Sequence, residues 1–150
     1  MLQRAVAGLP LVSLKAVHLN LASLAGQVNV LGGVDLEVGE SETLGIVGPS
    51  GSGKSTLLMV MAGLERPSSG RVTVAGADFA AMDEDGLARF RRDCIGIVFQ
   101  SFHLIPTMTA LENVAVPLEL AGHPDPFGAA REELERVGLA RRLSHYPGQL

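Results

Sequence analysis

One short stretch of the chain has the residue types and the spacing to hold a chain of phosphates. Residues 48–56 read GPSGSGKST and match G-x-x-x-x-G-K-[ST], the P-loop motif. Glycines let the backbone wrap closely around a phosphate, so that successive N–H groups converge on it at a helix N-terminus. The residues of this predicted site are Gly48, Pro49, Ser50, Gly51, Ser52, Gly53, Lys54, Ser55 and Thr56. The pattern predicts a binding site for a nucleoside triphosphate.

Three side chains in this stretch have separate expected roles. Lys54 is expected to reach the β- and γ-phosphates, and Thr56 is a further phosphate donor. Ser55 is expected to place its hydroxyl on Mg²⁺, which bridges the same phosphates and prefers oxygen ligands. The predicted ligand is therefore a nucleotide together with magnesium.

The flanking residues distinguish a P-loop from a flexible glycine-rich linker, which is the alternative in a chain with 18 glycines. Upstream, residues 43–47 (TLGIV) form a short apolar run that is typical of a buried parallel strand. Downstream, apolar residues recur at helical spacing from Leu57 to Leu64, with Gly63 near the expected helix end. Strand, glycine loop and helix form the context that the motif requires.

The rest of the chain predicts a sheet followed by helices. Strands are expected over residues 12–19, 28–38, 71–75 and 95–99, and a helix over residues 84–92 after Asp83. From residue 101 the pattern changes to helices and loops. Thr109 and Glu112 have the spacing of a capping box at the start of a helix that Pro117 is expected to kink or shorten.

Composition narrows the class of protein. The formal net charge of −4 gives no basic surface for nucleic acid, so no nucleic-acid partner is expected. No apolar run approaches the roughly 20 residues that cross a bilayer. The single cysteine, Cys94, lies next to the apolar run 95–99 and is expected to be buried and reduced.

Several segments in a fixed order resemble a known family. The chain is similar to the nucleotide-binding subunit of ATP-binding cassette (ABC) transporters, and within it to the lipoprotein-release and macrolide-export ATPases and YbbA-like proteins. The matching segments are 33–56, 57–63 (LLMVMAG), 66–71 (RPSSGR), 95–100 and 101–114 (SFHLIPTMTALENV).

The resemblance implies an α/β fold. The expected architecture is a P-loop NTPase core, with a mixed or parallel sheet and flanking helices, plus the start of a helical subdomain. Residues 1–100 would form the N-terminal part of the ATPase core, and residues 101–150 the start of the helical subdomain, which ends before the signature motif. The domain is therefore expected to be incomplete.

The resemblance also implies a function. The chain would bind Mg-ATP in a subunit that couples ATP hydrolysis to transport or extraction of a hydrophobic cargo. Gln100 would be the Q-loop glutamine, which contacts Mg²⁺ or the attacking water; by itself Gln100 could equally be a surface amide at a strand end. Exposed residues in the segment 102–106 would receive a cytoplasmic helix of a membrane-spanning permease. The full-length subunit would be a homodimer on the inner face of the cell membrane.

Two departures from the family pattern carry expectations of their own. The family usually stacks an aromatic side chain on adenine, but no Phe, Tyr or Trp precedes Phe79, and Leu21 or a neighbour occupies that place. The sequence also ends at Leu150, where the signature loop would begin. The second acidic motif, the general-base glutamate and the switch histidine would lie beyond it. Hence no appreciable ATP hydrolysis, an unpaired sheet edge beside the P-loop and poor stability are expected of this chain alone.

Two other functions remain open from the sequence. A small-molecule kinase would use the same P-loop, but it leaves Gln100 and the segment 109–114 without a role. A non-catalytic, truncated nucleotide-binding protein is the third possibility. The DNA downstream of codon 150 separates this from an ATPase subunit, because continuation into a signature and an acidic motif restores an enzyme.

Overall fold

The structure is a computed structural model that describes residues 10–23 and 26–150. The chain divides into two compact units, one ending at Ile97 and the other comprising Val98–Leu150. The strands are β1 (Val12–Ser23), β2 (Gly26–Val38), β3 (Ser69–Val74) and β4 (Ala77–Asp78). The α-helices are α1 (Lys54–Met61), α2 (Glu84–Cys94), α3 (Ala110–Leu120) and α4 (Pro126–Arg136), and short 3-10 helices lie at Phe79–Ala81, Ala140–Arg142 and Pro147–Gln149.

The first unit contains an antiparallel sheet with the strand order β2-β1-β3-β4. β1 and β2 form a long hairpin that brings Leu21 opposite Val28. β1 also pairs with β3, and β3 pairs with the short β4. The strands predicted over residues 12–19, 28–38 and 71–75 are confirmed, and the hairpin is longer than the sequence pattern indicated.

An irregularity in β1 explains how its apolar side chains reach one core. Leu14 and Val17 are both buried, although their spacing places the residues of a regular strand on opposite faces. The pairing register shifts between them, and Ala16 there has a positive φ of 48°. The Ala16 N–H donates to the Asp35 carboxylate at 2.8 Å. This bulge turns Val17 back toward the core, which hydrophobic alternation alone does not predict.

The core of the first unit joins the sheet to α1 and α2. Val60 of α1 and Leu87 of α2 are fully buried and belong to one cluster with the strand residues Leu14, Val17 and Val72. Burying a Val or Leu side chain is worth about 1.5–3 kcal/mol. The helix that follows the P-loop is therefore anchored to the sheet through its C-terminal half.

Two predicted strands are not formed in the described residues. Residues 43–47 and 95–99 are not in strands, and Val47 and Val98 are 91% and 99% exposed. A strand forms only where a neighbour supplies hydrogen bonds along its length, and neither segment has such a neighbour in the described part of the chain. The prediction that these segments are buried strands is wrong, and the sheet described here lacks the parallel part. Because residues 43–47 form no strand, the expected unpaired strand edge beside the P-loop is not observed either.

Cys94 is exposed, so the prediction of a buried thiol is also wrong. Cys94 is the last residue of α2. The expectation of burial depended on a buried strand at residues 95–99, and that strand is not formed.

The second unit is built around α3 and α4. Ala115 and Ala130 are completely buried, and such small side chains let two helices approach closely. α3 begins at the predicted capping box and continues through Pro117 to Leu120. None of the helices in residues 10–23 and 26–150 is both long and apolar enough to span a membrane.

Candidate nucleotide-binding site

The predicted phosphate loop is a tight bend that leads directly into α1. The Ser52 N–H donates to the Pro49 carbonyl at 3.3 Å, and Gly53 is the N-cap residue of α1. Gly53 has φ 84°, and a Cβ at this position would lie 2.8 Å from the Val30 carbonyl oxygen. A larger residue would be strained and would push the loop away from β2. The structure therefore brings residues 48–56 together as a loop that rests against the hairpin.

The N-terminus of α1 lacks the side-chain cap that the other three α-helices have. Asp83, Thr109 and Asp125 cap α2, α3 and α4, each by accepting a hydrogen bond from a backbone N–H. Gly53 has no side chain for this purpose, and the first turn of α1 carries no acidic residue. The first N–H groups of a helix need an acceptor and lie at the positive end of the helix dipole. Within the described residues, α1 alone among these helices offers such donors to an anion.

Lys54 folds back over this loop. Its ammonium group donates to the carbonyl oxygens of Gly48 at 3.0 Å and Pro49 at 2.7 Å. Hydrogen bonds from a charged donor are stronger than those between neutral groups. An ammonium group has three N–H donors, so one remains for a further acceptor. Lys54 thus closes the loop and keeps a positive charge at the predicted phosphate site.

Ser55 follows in the first turn of α1 and has an exposed side chain. In the part of the chain that the structure describes, no group of three or more His, Cys, Asp or Glu residues could hold a metal ion. Mg²⁺ commonly takes only one or two ligands from the protein and the rest from phosphates and water. The residues at the loop therefore fit a magnesium ion that arrives with a nucleotide, and the exposed Ser55 hydroxyl is the group that would bind it.

Gln100 lies in the second unit, directly after the segment 95–99. It is exposed, and none of the hydrogen bonds among the described residues involves its side chain. The rings of Phe99 and His103, on either side of it, are stacked with their centroids 4.8 Å apart. The role of Gln100 stays a prediction.

The sequence patterns did not predict which residues of the hairpin support the loop. Besides the Val30 carbonyl, the Leu31 side chain would meet a Cβ on Gly53 at 3.3 Å. Strand alternation marks Val30 and Leu31 as β2 residues but does not indicate which loop they face. No spacing signal links them to residues so far along the chain, so only the folded structure reveals the contact.

An aliphatic surface lies on the hairpin near the loop. Leu21 of β1 is 41% exposed and faces Val28 of β2, which is 49% exposed. Val28 is two residues along β2 from Val30, whose carbonyl oxygen backs Gly53. This part of the hairpin therefore presents an aliphatic surface.

Comparisons with known proteins agree with this geometry. The ABC transporter family matches residues 31–150. The lipoprotein-releasing system ATP-binding protein LolD of Geobacter metallireducens is 52% identical over 126 residues, which is 83% of this chain and 56% of LolD. The ABC transporter ATP-binding protein YbbA of Escherichia coli (strain K12) is 48% identical over 83% of this chain and 55% of YbbA.

A solved structure extends the similarity to the fold. The dimeric structure of the ATP-binding cassette MJ0796 bound to ADP and Pi superimposes with a TM-score of 0.84 at 39% identity, covering 93% of this chain and 62% of that one. The chain thus spans somewhat more than half the length of these relatives. The predicted fold class and the predicted subgroup are both confirmed. The chain belongs to the ABC transporter family, and its residues correspond to part of the ATP-binding cassette.

Proposed function

We propose that residues 48–56 bind the phosphates of Mg-ATP, and that the chain is the nucleotide-binding part of a transporter ATPase. The observation that carries this proposal is the N-terminus of α1, which has free N–H donors, no side-chain cap and a glycine loop immediately before it. A triphosphate supplies the acceptors that this helix end lacks. The P-loop motif and membership of the ABC transporter family support the same assignment.

The roles of the individual side chains follow from their chemistry. Lys54 would turn its ammonium group from the loop carbonyls toward the β- and γ-phosphates, and Ser55 would give its hydroxyl to Mg²⁺. The ion neutralises charge on the phosphates when it is bound. For Gln100 we propose the Q-loop role, a contribution to binding Mg²⁺ or the attacking water, on the strength of the family resemblance. Hydrolysis would also need groups that the resemblance assigns to sequence after the signature motif.

The proposed setting is a transport complex. LolD belongs to a lipoprotein-releasing system by its name, and MJ0796 was solved as a dimer. By analogy, we propose that the ATPase works as a dimer with a membrane-spanning permease, at the inner face of the cell membrane, on a hydrophobic cargo. Phe102 is 83% exposed, and Leu104 and Ile105 are each 41% exposed, which suits contact with such a permease.

The small-molecule kinase is not favoured. The family match covers residues 31–150, including Gln100 and the segment 109–114, which a kinase leaves without a role. The part from 1 to 100 is proposed to supply the nucleotide-binding core, and the part from 101 to 150 the start of the helical subdomain.

Substitution of Lys54 tests the proposal. Lys54→Ala removes a charge-assisted contact worth about 1.5–3 kcal/mol, so we expect Mg-ATP affinity to fall by about one to two decades. The measurement is a fluorescent-nucleotide titration of the 150-residue chain, with displacement by unlabelled ATP. Lys15→Ala is the matched control, because Lys15 is the only other lysine and lies in β1. Unchanged affinity in Lys54→Ala, or equal losses in both variants, would contradict the assignment.

A further inference from the structure

A strained turn surrounds Gln100. The backbone of His103 has a positive φ of 52°, in the left-handed region that residues other than glycine seldom adopt. Histidine, like Asn and Asp, enters this region more readily than most residues, but the conformation still costs free energy. Such strain persists only where surrounding contacts hold it. The turn therefore needs a contact that keeps His103 in place.

The contact is a ring stack. The imidazole of His103 lies on the Phe99 ring at a centroid distance of 4.8 Å and an interplanar angle of 30°. Within the described residues, no hydrogen bond or ion pair involves residues 98–104, which are all exposed. Among the ring contacts, hydrogen bonds and ion pairs of the described residues, the stack is thus the one that closes the turn from 99 to 103 around Gln100.

The chain just beyond this turn is held separately. The Asn113 side-chain oxygen accepts a hydrogen bond from the Ile105 N–H at 2.7 Å, and the two N–H donors of its amide are shared among the carbonyl oxygens of Ile105, Met108 and Thr109, at 3.0–3.1 Å. This amide fixes the loop from Ile105 onward to α3. With residue 105 fixed, the stack needs to restrain only the short piece that carries Gln100 and Phe102.

We propose that His103, by stacking on Phe99, is a positioning residue for Gln100. The left-handed backbone at His103 turns its ring back onto Phe99, and the stack limits the directions that the Gln100 side chain can take. This inference rests on the proposed nucleotide-linked role of Gln100. It assigns to His103 a function that neither the P-loop nor the glutamine itself supplies.

Nuclear magnetic resonance on the 150-residue chain tests the restraint without nucleotide. Phe99→Leu removes the partner ring, and His103→Asn keeps a residue that tolerates positive φ but removes the stack. We expect both variants to lower the backbone order parameter of Gln100 from about 0.8 to below about 0.6. Phe99→Leu should also abolish the ring-current shift of the His103 protons. Phe127→Leu, the same change at an exposed phenylalanine of α4, is the matched control and should do neither.

A comparison of ATP affinity with and without Mg²⁺ tests whether His103 positions Gln100. Gln100→Ala should reduce the ratio of affinities with and without Mg²⁺ by about three- to tenfold. Phe99→Leu and His103→Asn should reproduce most of that loss while affinity without Mg²⁺ stays constant. If wild-type and variant order parameters agree, or if Gln100→Ala alone changes the ratio, His103 is not a positioning residue. Absence of ATP binding by the wild type would instead overturn the proposed function, and the order parameters would still decide the restraint.

Discussion

Leu21 is the residue at which we expect the base selectivity of the proposed nucleotide site to differ from that of its family. The family usually stacks an aromatic ring on adenine, whereas here Leu21 and Val28 present an aliphatic surface on the hairpin that backs Gly53. Stacking of a base on an aromatic side chain is worth about 1–3 kcal/mol. An aliphatic contact lacks this energy and distinguishes poorly between purines. We therefore expect contacts to the phosphates, which ATP and GTP share, to provide most of the binding free energy.

We therefore expect ATP and GTP to bind with comparable affinity. Leu21→Tyr should restore a stacking surface and tighten ATP binding by about five- to a hundredfold. Leu120→Tyr, at an 81% exposed leucine of the second unit, is the control and should leave affinity unchanged. The measurement is competition of ATP and GTP against a fluorescent nucleotide. A preference of the unmodified protein for ATP of more than about a hundredfold would contradict this prediction.

At the scale of the element, the capping box of α3 makes the stability of this helix depend on pH. The Glu112 carboxylate accepts hydrogen bonds from the Thr109 N–H and hydroxyl, both at 2.7 Å, and the Thr109 hydroxyl accepts one from the Glu112 N–H at 3.3 Å. The bond from the Thr109 backbone, followed by that from its hydroxyl, holds the pKa of Glu112 below its usual value of 4.5. The ionised carboxylate is the form that accepts these bonds.

The direction of this pKa shift predicts acid sensitivity of α3. A folded-state pKa below the unfolded value means that the stabilisation is fully present above pH 4.5 and is lost as the pH falls through the folded-state pKa. We expect the protection of amides in the first turns of α3, measured relative to their intrinsic exchange rates, to fall over that interval. Glu112→Gln should flatten this pH dependence, because the amide oxygen still accepts but does not titrate. Glu119→Gln, in the same helix, is the control; equal pH profiles for wild type and Glu112→Gln would rule the capping box out as the cause.

At the scale of the whole molecule, the two units differ in the buried contacts that stabilise them. The first has a buried cluster that links the sheet to α1 and α2, and the second has the α3 and α4 pair. Between Val38 and α1, and again after α2, the chain carries apolar residues that are not buried, including Val47 and Val98. Apolar surface left in water contributes nothing to the free energy of unfolding, while ordering the backbone still costs about 1–2 kcal/mol per residue.

We therefore expect low stability and no sharp cooperative melt for the 150-residue chain. Circular dichroism and calorimetry are the measurements. Val47→Thr and Val98→Thr should leave the thermal profile unchanged, since both side chains are exposed, whereas Val60→Thr should disrupt it because Val60 is completely buried. A sharp, reversible transition in the unmodified chain, or strong loss of structure in either exposed-site variant, would contradict this expectation.

The sequence by itself determined the features that depend on near neighbours along the chain. The glycine-rich loop before α1 and the helix starts at Asp83 and Thr109 follow from residues a few positions apart. Capping, turn formation and helical periodicity are local interactions, so the pattern of types and spacings suffices to predict them.

Only the tertiary structure decided the features that need a distant partner. Residues 43–47 and 95–99 have the composition of buried strands, but a strand requires hydrogen bonds from a neighbour, and the described chain supplies none. The bulge at Ala16 and the contact of Gly53 with Val30 depend likewise on how separate elements meet. Local spacing predicts which loop can bind a phosphate, whereas non-local packing decides what supports that loop.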